Sequence, residues 1–216
     1  MTSKMKKILS MLLILAMVIA LLPGMGMAEG ATWNSDLKFD ADTTIADGVT
    51  LTANMKATIA KGVTVTVKGG IYSETNKTLT VTGEGKMVIT GAAGSDGFSG
   101  KLVVDGPTVT VTGGRGAPGV AGTIEVKSGK ITVTSGYGAG KDSAAVFGIV
   151  TVNGGTTVIK GGGSDNFNGC VGVHGVVIVN GGSATVTGGS GGTYGGYGGP
   201  GIKKMTQSDI TTGCSP

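Results

Sequence analysis

The sequence contains few of the residues on which most catalytic and metal sites depend. Among its 216 residues there are one arginine, one histidine and two cysteines, and only 14% of the chain is charged. Prolines number five and no strict Gly-X-Y triplet recurs, so the 44 glycines do not indicate collagen. Long charged runs are absent while β-branched residues are abundant, which argues against a disordered chain.

The first 28 residues have the features of a secretory signal peptide. Three lysines among the first seven residues precede an apolar run from Ile8 to Leu22, which ends at Pro23-Gly24. Small residues then occupy the two positions that signal peptidase reads, which predicts cleavage after Ala28. The run of about 15 residues is short for a membrane span. An uncleaved anchor is the alternative.

Removal of this segment changes the charge of the chain. The segment holds three of the 17 basic residues and none of the 13 acidic residues, which leaves 14 basic against 13 acidic residues in the mature chain. This near-neutral balance gives no support for nucleic-acid binding. We therefore expect a chain that is secreted or held at the cell surface, with no nucleic-acid partner and no membrane span after signal cleavage.

The mature chain repeats one β-rich unit. Ile149–Gly155 returns 27 residues later as Val176–Gly182, each time as an apolar run followed by Asn-Gly-Gly. Apolar residues alternate with polar ones inside each unit, which is the period of a β-strand, and valines in the following glycine-rich segments predict a third short strand. The units start near Thr44, Thr58, Thr78, Lys101, Thr123, Ile149 and Val176, so the first two are 14 residues apart.

Two all-β folds fit this pattern. An array of antiparallel hairpins would use Asn153-Gly154 and Asn180-Gly181 as type I′ turns, whereas in a parallel β-solenoid each unit is one coil. We favour a right-handed parallel β-solenoid, or β-helix, of about seven short coils, because equivalent apolar positions would stack into one interior and a lone hairpin is marginally stable.

The domain boundaries follow from this interpretation. They are a signal peptide over 1–28, a lead-in or N-terminal cap over 29–42, glycine-rich solenoid repeats over 43–202 and a polar tail over 203–216. Trp33, the only tryptophan, lies in the lead-in, where we expect it to cap the end of the core.

The repeats also resemble a known class of proteins. A signal peptide, then T-I-A-x-G-V-T-[LV]-T, then repeated V-x-V-N-G-G-x-x-x-V-x-G-G resembles secreted and cell-surface glycine-rich β-strand-repeat proteins of Gram-positive bacteria. Their repeats are similar in kind to pectate-lyase-like β-helices. Over residues 43–202 the resemblance implies a surface-associated, adhesin-like or glycan-associated role, usually within a larger protein.

The residues that could carry catalysis do not form a recognisable set. Asp105 and Glu125 are predicted at outer strand positions of neighbouring coils, where glycosidases and lyases would need paired carboxylates, but ordinary strand polarity explains them at least as well. His174 stands among valines and is predicted to be structural, and no nucleophilic triad can be assembled. We expect no enzyme activity, no metal site and no cofactor.

The two cysteines permit one disulfide bond. Export would allow Cys170 and Cys214 to pair, but sequence separation does not establish that they meet. Two independent thiols remain the alternative. The predicted outer strand positions also hold Thr-x-Thr pairs such as Thr110/Thr112 and Thr132/Thr134, and threonine is common on exposed strands.

The feature with the clearest functional content is aromatic. Four rings fall in the loops after the second strand of three successive units, and stacked coils would align these loops along one edge. Exposed rings can stack on sugars while neighbouring polar groups bond the hydroxyls, although each ring could instead pack over its own loop. The predicted glycan edge comprises Tyr137, Asp142, Asp165, Asn166, Phe167, Tyr194 and Tyr197.

Three functional hypotheses result. The first is a non-catalytic, adhesin-like surface module that binds polysaccharide, cell-wall glycan or other envelope material. The second is a purely structural stalk or spacer of a larger surface protein, and the third is a β-helix polysaccharide lyase or hydrolase. An exposed aromatic edge favours the first, a groove of clustered carboxylates the third, and neither of them the second. The sequence does not fix an oligomeric state.

Overall fold

The structure of the chain, a computed structural model, is a parallel β-solenoid. It describes residues 30–138, 144–164, 169–192 and 197–203; the predicted signal peptide over 1–28 lies outside them. The described residues contain no helix, and hence none long and apolar enough to cross a membrane.

The described residues form sixteen strands, which make a single sheet that winds around one core. Several strands bend at glycines and run through more than one side of the solenoid. In chain order they are β1 (Ala31–Trp33), β2 (Leu37–Phe39), β3 (Thr43–Ile45), β4 (Val49–Leu51), β5 (Met55–Ile59), β6 (Thr64–Gly69), β7 (Ile71–Ser73), β8 (Thr78–Gly83), β9 (Lys86–Gly91), β10 (Phe98–Thr112), β11 (Val120–Thr134), β12 (Ala144–Val152), β13 (Thr156–Lys160), β14 (Val171–Val179), β15 (Ser183–Thr187) and β16 (Ile202–Lys203).

The strands stack into three faces. Face A runs β1-β4-β7-β10-β11-β12-β14-β16, and six turns separate β1 from β14 along it. Face B stacks β2, β5 and β8 on residues 101–105 of β10, 123–126 of β11, 149–152 of β12 and 176–179 of β14. Face C stacks β3, β6 and β9 on residues 108–112 of β10, 130–134 of β11, β13 and β15.

Every strand pairing is parallel, so the solenoid is confirmed and the hairpin array is wrong. The predicted third strand per coil is also present, as face A. The register pairs Lys101 with Thr78 and Thr123, and Ile149 with Thr123 and Val176, as the repeat predicted. The handedness of the coil stays a prediction.

The 14-residue offset at the start of the chain is wrong as a coil length. Thr44 pairs with Thr66 on face C, whereas Thr58 pairs with Lys38 and Thr82 on face B. The two similar segments are therefore strands of different faces, and they look alike because both obey the same alternation. The lead-in residues supply β1 and β2, which form the first level of faces A and B.

The interior is a continuous column of aliphatic side chains. Inward positions of all three faces, such as Leu102, Val104, Val109 and Val111, have no exposed surface. Burial of each such side chain contributes about 1.5–3 kcal/mol. At the N-terminal end Trp33 is 5% exposed and its ring centroid lies 6.0 Å from that of Phe39, so Trp33 belongs to the core, as expected.

Glycines at the corners allow successive coils to touch through their backbones. A Cβ added at Gly148, where face A bends into face B, would lie 2.0 Å from the carbonyl oxygen of Gly122, and one at Gly122 would lie equally close to that of Gly100. Gly148 also has a φ of +135°, which L side chains rarely adopt. Only glycine fits this corner of the stack.

We expect Gly148→Ala to destabilise the solenoid strongly, by about 3 kcal/mol, because it combines backbone strain with a clash against backbone. Gly94→Ala is the matched control, since Gly94 also has positive φ, +79°, but a Cβ there would meet nothing within 4 Å. Urea unfolding followed by circular dichroism gives both values. Equal losses for the two variants would contradict the stacking explanation.

Candidate functional site

The loops between face C and face A stack on one another to form a ridge. We call this the loop edge; its described residues are 92–97, 113–119, 135–138, 161–164, 169–170, 188–192 and 197–201. Backbone bonds join successive loops: Gly94 N donates to Arg115 O at 2.9 Å, Gly116 N to Tyr137 O at 3.2 Å and Gly138 N to Gly163 O at 3.1 Å. The predicted alignment of these loops along one side is therefore present.

Tyr137 carries an exposed aromatic ring on the loop edge. It is 51% exposed, and a Cβ added at Gly163 in the next loop would lie 3.5 Å from its Cε2 atom. Arg115 precedes it in the stack, and a Cβ added at Gly138 would lie 3.6 Å from the Arg115 Nε atom. The ring of Tyr137 and the guanidinium group of Arg115 thus belong to adjacent loops, and each lies beside a position that carries no side chain.

The remaining predicted glycan-edge residues are divided between described and undescribed parts of the chain. Tyr197 is 79% exposed, and its carbonyl oxygen accepts a bond of 2.8 Å from Gly169 N. Asp142, Asp165, Asn166, Phe167 and Tyr194 lie outside the described residues. Their part in the glycan edge stays a prediction.

Face C presents a regular outer surface of threonine and lysine, which we call the Thr–Lys face. Its first outward column alternates in register as Thr64, Lys86, Thr108, Lys130 and Thr156. The middle column is Thr66, Val88, Thr110, Thr132, Val158 and Thr185, and the column nearest the loop edge is Lys68, Thr90, Thr112, Thr134, Lys160 and Thr187.

The charged residues within the strand segments of the Thr–Lys face are all lysines. Lys68, Lys86, Lys130 and Lys160 are all exposed, and none of them forms an ion pair with another described residue. No strand segment of face C contains an acidic residue. Two levels separate Lys86 from Lys130, which places their backbones about 9.5 Å apart.

The lysines of this face are functional candidates that the sequence reasoning missed. The Thr-x-Thr pairs were identified, but Lys86 and Lys130 fall at the start of the second strand of their units and looked like ordinary outer-face polarity. An alignment of the units by strand register would have found them, because Lys86, Thr108 and Lys130 occupy one column. The net charge of the whole chain does not show that these lysines lie on one face.

The carboxylates considered for catalysis are not paired with each other. Glu125 stands next to Val103 in the register and its Oε2 lies 3.0 Å from Lys101 Nζ, while Asp105 accepts a bond of 2.8 Å from the Ser128 hydroxyl. His174 is 4% exposed and its ring centroid lies 5.0 Å from that of Phe147, as expected of a structural residue. Within the described ranges no three His, Cys, Asp or Glu residues are placed to hold a metal ion.

Cys170 is a fully buried residue of the loop edge. Its backbone nitrogen donates to Gly162 O at 3.0 Å and its carbonyl oxygen accepts from Gly189 N at 2.8 Å. Cys214 lies outside the described residues. A disulfide bond between Cys170 and Cys214 stays a prediction.

One carboxylate of the loop edge has a shifted titration. Burial raises the pKa of Asp96 above its usual value of 3.8, because desolvation disfavours the charged form. A folded-state pKa above the unfolded one means that the carboxylate disfavours folding once it is ionised. This penalty is absent below pH 3.8, grows as the pH rises from 3.8 towards the folded-state pKa, and is complete above it.

We therefore expect Asp96→Asn to be more stable than the wild type at neutral pH, with the difference closing as the pH falls towards 3.8. Urea midpoints of both proteins across this range test it, and comparison with the wild type cancels the other carboxylates. A stability difference that does not change with pH would contradict the assignment of the shift to Asp96.

Comparison with known proteins places this geometry in context. A family model described as carbohydrate-binding domain-containing protein matches residues 37–214, which include the loop edge and all but the first strand of the solenoid. No curated protein and no solved structure matches the chain significantly.

Proposed function

Because the chain belongs to the family of carbohydrate-binding domain-containing proteins, we propose that it is a non-catalytic glycan-binding module. In this proposal it is exported and acts at the cell surface, as the predicted signal peptide and the resemblance to glycine-rich surface proteins suggest. The loop edge and the adjoining Thr–Lys face form the binding surface.

The observation that carries the proposal is the position of Tyr137. Its half-exposed ring lies beside Gly163, at the boundary of the Thr–Lys face. A sugar ring can stack on a tyrosine while its hydroxyl groups bond to neighbouring donors, and Arg115 in the adjacent loop supplies such donors. The glycines around these two residues let a flat chain approach the backbone closely.

The Thr–Lys face supports a preference for acidic glycans. Threonine hydroxyls donate and accept hydrogen bonds, and the four exposed lysines attract negative charge with no acidic side chain in the same strand segments to oppose them. The columns run along the solenoid axis, so an extended polymer could contact several levels at once. We infer that uronate-containing or otherwise anionic polysaccharides are preferred.

Tyr137→Ala is expected to weaken retention on an acidic polysaccharide about tenfold, since loss of a stacked ring costs about 1 kcal/mol beyond its buried area. Affinity electrophoresis through gels with and without polygalacturonate or alginate measures this. Tyr137→Phe should retain most of the affinity, which separates stacking from the hydroxyl group. Full retention by a folded Tyr137→Ala variant would remove Tyr137 from the site.

Replacement of Lys68, Lys86, Lys130 and Lys160 by glutamine should abolish most retention on acidic polysaccharide and its dependence on salt, because the attraction is between exposed charges. The matched control replaces Lys38, Lys56, Lys61 and Lys127, four lysines outside face C, by glutamine. Retention lowered equally by both sets would indicate that only net charge matters and would contradict a site on face C.

The two other hypotheses give different results in the same gels. A structural spacer would migrate unretarded through every polysaccharide. A lyase or hydrolase would shorten the polymer, which gel filtration of the polysaccharide detects; the separate bonding of Glu125 and Asp105 gives no support to that hypothesis.

A further inference from the structure

Face A carries a second surface suited to a sugar chain, on the opposite side of the loop edge from the Thr–Lys face. Its outward positions form one column, in which the register joins Thr32 to Thr50 and Thr50 to Tyr72. Ile71 pairs with Phe98, so Ser99 follows Tyr72, and the column continues through Ala121, Phe147 and His174.

Within the column, Tyr72 and Phe147 lie at the two ends of a short segment of small residues, which we call the floor. Tyr72 is 58% exposed, and Ser99 and Ala121, the next two members, are half-buried. Phe147 then closes the row. Three strand spacings separate Tyr72 from Phe147, or about 14 Å, so the space between the rings is long enough for a short oligosaccharide rather than one sugar.

The ring of Phe147 packs against the ring of His174. His174, one level further along the column, lies with its ring centroid 5.0 Å from that of Phe147 at an angle of 44°. His174 is 4% exposed, so it supports Phe147 rather than facing a ligand. On the other side of Phe147 in the register lies Ala121, which carries only a methyl group.

Face A also differs from face C in charge. From Thr32 to Phe147 its outward column contains no lysine, arginine or carboxylate. Apolar rings over a floor of small uncharged residues suit pyranose rings, which present C–H groups to aromatic faces. They offer nothing to a carboxylate or a phosphate.

We propose that the groove formed by Tyr72, Ser99, Ala121 and Phe147 is a stacking site for a neutral pyranose oligosaccharide. It extends the proposed glycan-binding function, on which it rests, with a site that recognises uncharged sugars independently of the lysines. A polysaccharide that crosses the loop edge could contact both sites, and two linked sites bind more tightly than either alone.

The test compares two variants with a control in gels that contain a neutral polysaccharide, with xylan, glucomannan and hydroxyethyl cellulose as separate probes. Tyr72→Ala removes one ring, and Ala121→Leu fills the floor while leaving both rings in place. Thr50→Ala changes the next residue of the same column, outside the groove. We expect Tyr72→Ala and Ala121→Leu each to lower retention on at least one probe about tenfold, with Thr50→Ala and Tyr72→Phe close to the wild type and with no dependence on salt.

The outcomes separate this inference from the proposed function. Retention of the wild type on acidic polysaccharide only would overturn the groove and leave the proposed function intact. Retention on a neutral probe that neither variant lowers would also overturn the groove. Failure of the folded wild type to bind any neutral or acidic polysaccharide would contradict both.

Discussion

The fold depends on backbone contact between successive coils at glycine corners. Where face A bends into face B, Gly122, Gly148 and Gly175 lie so close to the preceding coil that an added Cβ would meet a glycine carbonyl oxygen of that coil at 2.0 Å or less. Any other residue would push the coils apart at that corner. A narrow, three-sided coil therefore requires abundant glycine. Close contact of the coils at these corners also closes the aliphatic interior.

This constraint also arranges the surface. Because the coils are in register, equivalent residues of successive repeats lie one strand spacing apart. Each outward position of the repeat therefore forms a column of side chains along a face. On face C the columns consist mainly of threonine and lysine, and on face A of aromatic rings separated by small residues. The loops between the two faces stack into a ridge that carries Tyr137 and Arg115. Such columns suit the extended polysaccharide that we propose as the partner, and the chain belongs to a family of carbohydrate-binding domain-containing proteins.

Much of the fold could be predicted from the sequence, because the period-two alternation indicates the strands and the recurrence of Asn-Gly-Gly indicates their register. The start of the repeat could not be predicted. Thr44 and Thr58 share a motif but lie on different faces, and only the folded chain shows to which face each segment belongs. The site was predicted in part. The alignment of loops that exposes Tyr137 follows from stacking, whereas the lysine column and the Tyr72 groove combine residues of separate repeats, and appear only when every coil is placed in register.

Binding of an acidic glycan along the loop edge and face C can be measured by NMR titration of the mature chain with a uronate oligosaccharide, followed through backbone amide shifts. We expect shifts at the loop edge, around Arg115 and Tyr137, and along the Thr–Lys columns of face C, with face B unchanged. Shifts confined to face B, around Lys101 and Glu125, or no shifts at a saturating concentration, would contradict binding at these surfaces.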